Sequence, residues 1–300
     1  MAEISSTDAG LVGFNLARSH PMVIPAWAIL DLISSVVIVT LLISLAGPAL
    51  MEAQNFQPGA DLDAARVAEV YGRLAPAGLL VIPLSLFFGG ILYAGASRLV
   101  LRPEDRGFGW LKLGGDEFRQ MLLLLVIGLI FMLAYLAVGV VVGLVAGLGA
   151  VASPQIGILL AVLGGLLGIG FLIWLAVRLS LASPATFALG RLAIGESWRL
   201  TKGRFWSLLW AYVLAIIMAI IVGAAAMALF FVVAGIPFGF ANAGAAIMSP
   251  DMTSMATMFT GVGIAYFIWS AVVSGLTNLI FLTPAPTLYA QLKGDAEVFD

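Results

Sequence analysis

Long apolar runs separated by short polar connections make up this chain, and polar residues do not alternate with apolar ones inside the runs. A helix needs about 20 mainly apolar residues to cross the hydrocarbon of a bilayer. Six runs qualify, at 25–50, 77–101, 121–148, 158–181, 205–234 and 261–282. In lipid every backbone donor and acceptor must be paired within the protein, which leaves helices or closed barrels. The unbroken runs select helices, so the pattern predicts an all-α polytopic membrane bundle of about six transmembrane helices. A segment 1–21 precedes the membrane domain, 22–292, and a tail, 293–300, follows it.

The connections add detail. In "DLDAARVAEVYGRL", Leu62, Val67, Val70 and Leu74 recur at roughly helical spacing, which predicts a short amphipathic helix lying on the membrane surface. The connection 235–260 is rich in Gly, Ala, Ser and Met with Asp251 as its sole charge, and is expected to dip into the interface. Gly139, Gly143 and Gly147 recur every four positions in the third run, as do Gly164 and Gly168 in the fourth. Such spacing lets backbones approach closely in lipid, so the two runs, joined at Ser153 and Pro154, should form a tight hairpin on those glycines. Pro83, beside Gly89 and Gly90, should loosen the second span.

Charge orients the bundle. Of the 14 Lys and Arg residues, only Arg66 and Arg73 fall on the side opposite the N-terminus. Because cytoplasmic loops carry the excess of cations, both termini are expected in the cytoplasm. The first run is also about twice the 7–15-residue core of a secretory signal, so it reads as a retained span.

Composition then removes whole classes of function. The chain is 62% hydrophobic and 10% charged, against about 45–50% and about 25% in soluble domains. A net charge of -2 argues against nucleic acid, whose binding relies on clustered cations. Cysteine is absent and His20 is the single histidine, which leaves little for thiolate zinc, metal or triad chemistry. No zinc-helix motif or nucleophile elbow appears. The expectation is no catalysis, no cofactor and no metal. The pairs Asp61 with Asp63, Glu104 with Asp105 and Asp116 with Glu117 lack partner histidines and read as solvated loop charges.

Two groups of residues remain as candidates. Asp31 lies inside the first span, where a carboxylate is costly and a functional candidate. It is near enough to the inner boundary for Arg98 or Arg178 to form a structural ion pair with it. Alternatively, Asp31 and the stripe Ser270, Ser274, Thr277 and Asn278 in the sixth span line an intramembrane polar site. The second group is "GESWRLTKGRFWSLLW", where Trp198, Trp206 and Trp210 are interleaved with Arg199, Lys202 and Arg204. A phosphate loop requires G-x-x-x-x-G-K-[ST] after a strand, a spacing not met here. Tryptophan and cations at the start of a span read instead as an interfacial anchor on anionic head groups.

The order "RLSLASPATFALGRLAIGESWRLTKGRFWSLL" and the terminal "FLTPAPTLYAQLKGD" resemble the glycerophosphoryl diester phosphodiesterase membrane-domain family and its stand-alone bacterial relatives. The resemblance implies a six-helix module of the bacterial cytoplasmic (inner) membrane, mostly of unknown activity. The phosphodiesterase of that family is a separate soluble domain, and nothing here resembles it. The expected function is a non-enzymatic scaffold, assembly partner or envelope-lipid accessory. Its expected partners are membrane lipids and other membrane proteins, not nucleic acid. The alternative is a transporter or channel for a small solute or lipid, using the polar site around Asp31.

Overall fold

Each apolar run becomes one helix in the computed structural model, which describes residues 6–54, 56 and 64–297. The elements are α1 (Ser6–Ser19), α2 (Val23–Gln54), α3 (Ala64–Leu101), α4 (Gly115–Ala152), α5 (Pro154–Leu179), α6 (Ala182–Leu189), α7 (Ile194–Leu200), α8 (Phe205–Phe238), α9 (Phe240–Met248), α10 (Met255–Met258), α11 (Gly261–Leu282) and α12 (Pro284–Glu297). Six of them, α2, α3, α4, α5, α8 and α11, are long and apolar enough to cross a membrane. No strand forms among the described residues. The outer faces are apolar too: Leu148, Val151, Leu167 and Ile236 are each at least 75% exposed. A helix that is hydrophobic all round requires lipid or protein on every side, so this is a polytopic membrane bundle.

The short helices α1, α6, α7 and α12 close one end of the bundle. Apart from α1, whose stretch reads as polar or weakly amphipathic, their residues lie in connections or beside spans. Together with α8 they enclose a core of Leu181, Ala185, Leu208, Leu288 and Leu292. The segment before the first span is therefore part of the packed end. Gly10 and Gly13 of α1 make this possible, since a Cβ on Gly10 would stand 3.0 Å from the Ala211 carbonyl oxygen and one on Gly13 2.9 Å from that of Leu279.

Two sequence expectations need correction. The amphipathic stretch before the second span is not a separate surface helix: from Ala64 onward it is the first part of α3, which runs unbroken through Pro76 and Pro83. Asp61, Leu62 and Asp63 lie outside the described residues. Its start is tied to the end of α2 because Arg66, at 3.2 Å, and Arg73 both reach Glu52. The connection after α8 is mostly helical, turning at Gly239 (φ +87°) so that α9 folds back and buries Ala243 against Phe230 and Ala234.

The hairpin of α4 and α5 forms on Gly164 and Gly168 of α5, as expected, but not on the expected glycines of α4. A Cβ on Gly139, Gly143 or Gly147 would meet nothing within 4 Å, so that stripe faces outward. The seam on α4 lies one residue earlier, at Val138, Val142 and Ala146, and one residue is about 100° around a helix. On α5 it is glycine that admits α4: a Cβ on Gly157 would stand 3.0 Å from the Ala146 carbonyl oxygen, one on Gly164 would press on Val142 and one on Gly168 on Val138. Ser153 caps α5 by accepting a hydrogen bond from the Ile156 N–H at 3.2 Å, with Pro154 in the first turn.

Candidate functional site

At the closed end, the last turn of α3 and the first turn of α4 carry charges that find one another. Arg98 is 2% exposed and donates to Glu117 Oε1 at 2.5 Å, while Glu117 is itself 6% exposed. The guanidinium also donates to the Trp110 carbonyl at 2.7 Å, lies 3.4 Å from Asp105 and 3.8 Å from Asp116, and stands over the Phe187 ring. Buried charges persist only when paired and hydrogen-bonded, and this one has both. One turn further along α4, Gln120 is fully buried and locked to α6: its amide donates to the Ser183 carbonyl at 2.8 Å and its oxygen accepts from the Ser183 hydroxyl at 2.9 Å.

A turn at Gly109 and Trp110, both at φ 61°, aims these groups. A bulky residue in that backbone region is strained, so the surroundings must hold it there. They do: the Trp110 indole donates to the Pro103 carbonyl at 3.2 Å, its ring packs against His20, and Trp27 of α2 donates to the Gly109 carbonyl at 2.9 Å. The turn thereby joins α2, α3 and α4. Asp105, paired with Lys112, is held below the ordinary carboxylate range, first by the Lys112 hydrogen bond and then by the nearby positive charges of Lys112, Arg98 and Arg102.

Reading Glu117 as a solvated loop charge was wrong, and Asp105 and Asp116, though partly exposed, are paired, because the fold turns all three onto Arg98 and its neighbours. The proposed Asp31 ion pair fails for the same reason. Arg98 is committed to Glu117, and Arg178 donates to the Trp198 carbonyl and the Thr201 hydroxyl, both at 3.4 Å, between the rings of Trp174 and Trp198. Asp31 of α2 instead faces Ser274 of α11. Gly275 lets α2 come that close, since a Cβ there would stand 2.6 Å from the Ile24 carbonyl oxygen.

Of the sixth-span stripe, Ser270 and Thr277 donate to the carbonyls of Phe267 and Val273 in their own helix, each at 3.0 Å. With Ser274 they border an open groove of about 510 Å³ between α8 and α11, to which Asp31 and Asn278 do not contribute. The anchor residues sit on α7 and the start of α8. Trp206 and Trp210 are 68% and 61% exposed, Trp198 is partly so, and Arg199 pairs with Glu196 at 2.8 Å. Lys202 lies in the turn before α8, and Arg204 is the residue just before its first turn.

Among the described residues no group of three His, Cys, Asp or Glu side chains is placed to hold a metal ion. Against known proteins, the chain matches no family model, no curated protein and no solved structure.

Proposed function

We propose that this chain is a non-catalytic protein of the bacterial cytoplasmic membrane that serves as an envelope-lipid accessory, with both termini in the cytoplasm. One observation carries the reading: Arg98 pairs with Glu117 and Gln120 with Ser183 beside the spans, while the exposed Trp206 and Trp210 stand beside cations at one rim. A carrier needs polar groups that bind and release a solute, whereas Arg98, Gln120 and Arg178 hold helices together. Tryptophans and cations at a rim favour head groups. The resemblance of the inner connection to the phosphodiesterase membrane-domain family supports a module of the same kind.

The transport alternative rests on the Ser274 groove and on Asp31 behind it. Two measurements separate the readings. Gentle extraction followed by mass spectrometry should find one lipid class enriched over the bulk membrane, and Asp31→Asn should fold and complement a deletion strain. A stable, monodisperse Asp31→Asn protein that fails to complement would favour the transporter, because an amide can still hydrogen-bond but neither titrates nor carries charge.

A further inference from the structure

Where α3, α4, α5, α8 and the junction of α11 with α12 face one another, they leave a cavity of about 390 Å³. An apolar cavity of about 150 Å³ already holds benzene, and small-molecule sites run from about 300 to 1,000 Å³. The two ends differ. The end beside the Arg98 and Gln120 network is closed by the buried residues Ser97, Leu179, Ser183 and Leu282. The far end is walled by Ile127, Phe131, Ile173 and Ile216, of which Ile173 and Ile216 are exposed, so the cavity opens sideways toward hydrocarbon. Along α8 the lining runs from Leu209 to Ile216, about 10 Å at 1.5 Å per residue and roughly a third of the hydrocarbon core.

Its chemistry is that of hydroxyls without charge. Tyr93, Ser97, Ser180, Ser183 and Tyr212 line it, and among the described residues no Lys, Arg, Asp or Glu does. Two of these hydroxyls are committed, Ser180 to the Val177 carbonyl at 2.8 Å and Ser183 to Gln120. The Tyr212 hydroxyl is buried and faces that of Ser180, yet among the described residues it reaches hydrogen-bonding geometry with no atom. A buried hydroxyl left without a partner is costly, and this one is positioned to donate to or accept from an occupant. The occupant must also be uncharged, because a phosphate or carboxylate would shed its water against walls that offer no counter-charge.

We propose that this cavity binds an uncharged lipid bearing a free hydroxyl, of the diacylglycerol class. Its glycerol hydroxyl bonds to Tyr212 among the serines, and its chains leave past Ile173 and Ile216 into the bilayer. The inference rests on the lipid-accessory reading and gives it a ligand. It predicts selectivity against the anionic lipids that the exposed tryptophan and arginine rim attracts.

The test uses the purified full-length chain in detergent, with 1,2-dioctanoylglycerol as probe and dioctanoyl phosphatidylglycerol at the same mole fraction as the charged control. Native mass spectrometry should show one dioctanoylglycerol per chain, and thermal unfolding should show stabilisation by that lipid and not by the control. Tyr212→Phe should keep the ligand-free melting temperature and weaken binding about fivefold, the order expected for one hydrogen bond. Val213→Trp, which fills the cavity, should abolish binding; if that variant does not fold, Tyr212→Phe decides alone. Equal binding of both lipids, unchanged affinity in Tyr212→Phe, or binding retained by a folded Val213→Trp overturns the proposal. Enrichment of another lipid class on extraction would leave the accessory reading standing while this site fell.

Discussion

Arg98 shows what burial does to a charge at the edge of a membrane. Removing its charge in Arg98→Met leaves Glu117 buried without its partner, and breaking a buried pair costs about 3–5 kcal/mol. The double variant Arg98→Met with Glu117→Leu removes both charges, so it should regain part of the loss. Thermal unfolding in detergent checks this, and a single variant as stable as the parent would mean that water reaches Glu117. Acid should act on the same cluster through Asp105. Its carboxyl is held below the ordinary value of 3.8 in the folded chain, so its contribution is complete above that value. It is then lost as pH falls further, through the folded pKa. Asp105→Asn should flatten the acid limb of a stability profile, and an unchanged limb would contradict the assignment. The charges themselves were legible in the sequence, but their pairing was not. It depends on the strained turn at Gly109 and Trp110, which no periodicity announces, and which brings residues from the connection and α4 onto the Arg98 guanidinium of α3.

At the scale of the element, existence and length followed from hydropathy, and glycine spacing gave the contact face of α5 but not that of α4. The six spans lie where apolar runs longer than about 20 residues require them, because backbone satisfaction in lipid leaves no other choice. Which side of α4 meets α5 is settled by packing instead. Valine and alanine at Val138, Val142 and Ala146 fit against Gly157, Gly164 and Gly168, while the regular stripe Gly139, Gly143 and Gly147 looks outward. Spacing identifies a smooth face without saying which neighbour it meets. The two glycine sets therefore predict opposite outcomes. Gly157→Leu should force the helices apart, since even a Cβ would stand 2.7 Å from Ala150 Cβ. Gly143→Leu should cost nothing in packing and gain slightly in helix propensity, by up to about 1 kcal/mol. If Gly143→Leu lowers the melting temperature in detergent as much as Gly157→Leu, the outward orientation is wrong.

For the molecule as a whole, the asymmetry between its two ends decides its orientation. At one end α1, α6, α7 and α12 form a closed layer, and Arg98 of α3 and the cations of the 102–114 connection, α4, α5 and α7 gather there. At the other end Arg66 and Arg73 are both engaged by Glu52, which lowers the exposed positive charge on that side below what the residue count suggests. The rule that places cations in the cytoplasm counts residues near span ends in short connections, so the closed layer should face the cytoplasm. Single-cysteine labelling is clean here because the native chain has no cysteine. In intact cells an impermeant thiol reagent should modify Asp251→Cys, in the connection between α9 and α10, and spare Glu104→Cys, between α3 and α4. Permeabilised cells should label both, which shows that Glu104→Cys is accessible. The reverse pattern would turn the bundle over, place the tryptophan and arginine rim on the outer face, and remove the cytoplasmic leaflet as the source of lipid for the cavity behind it.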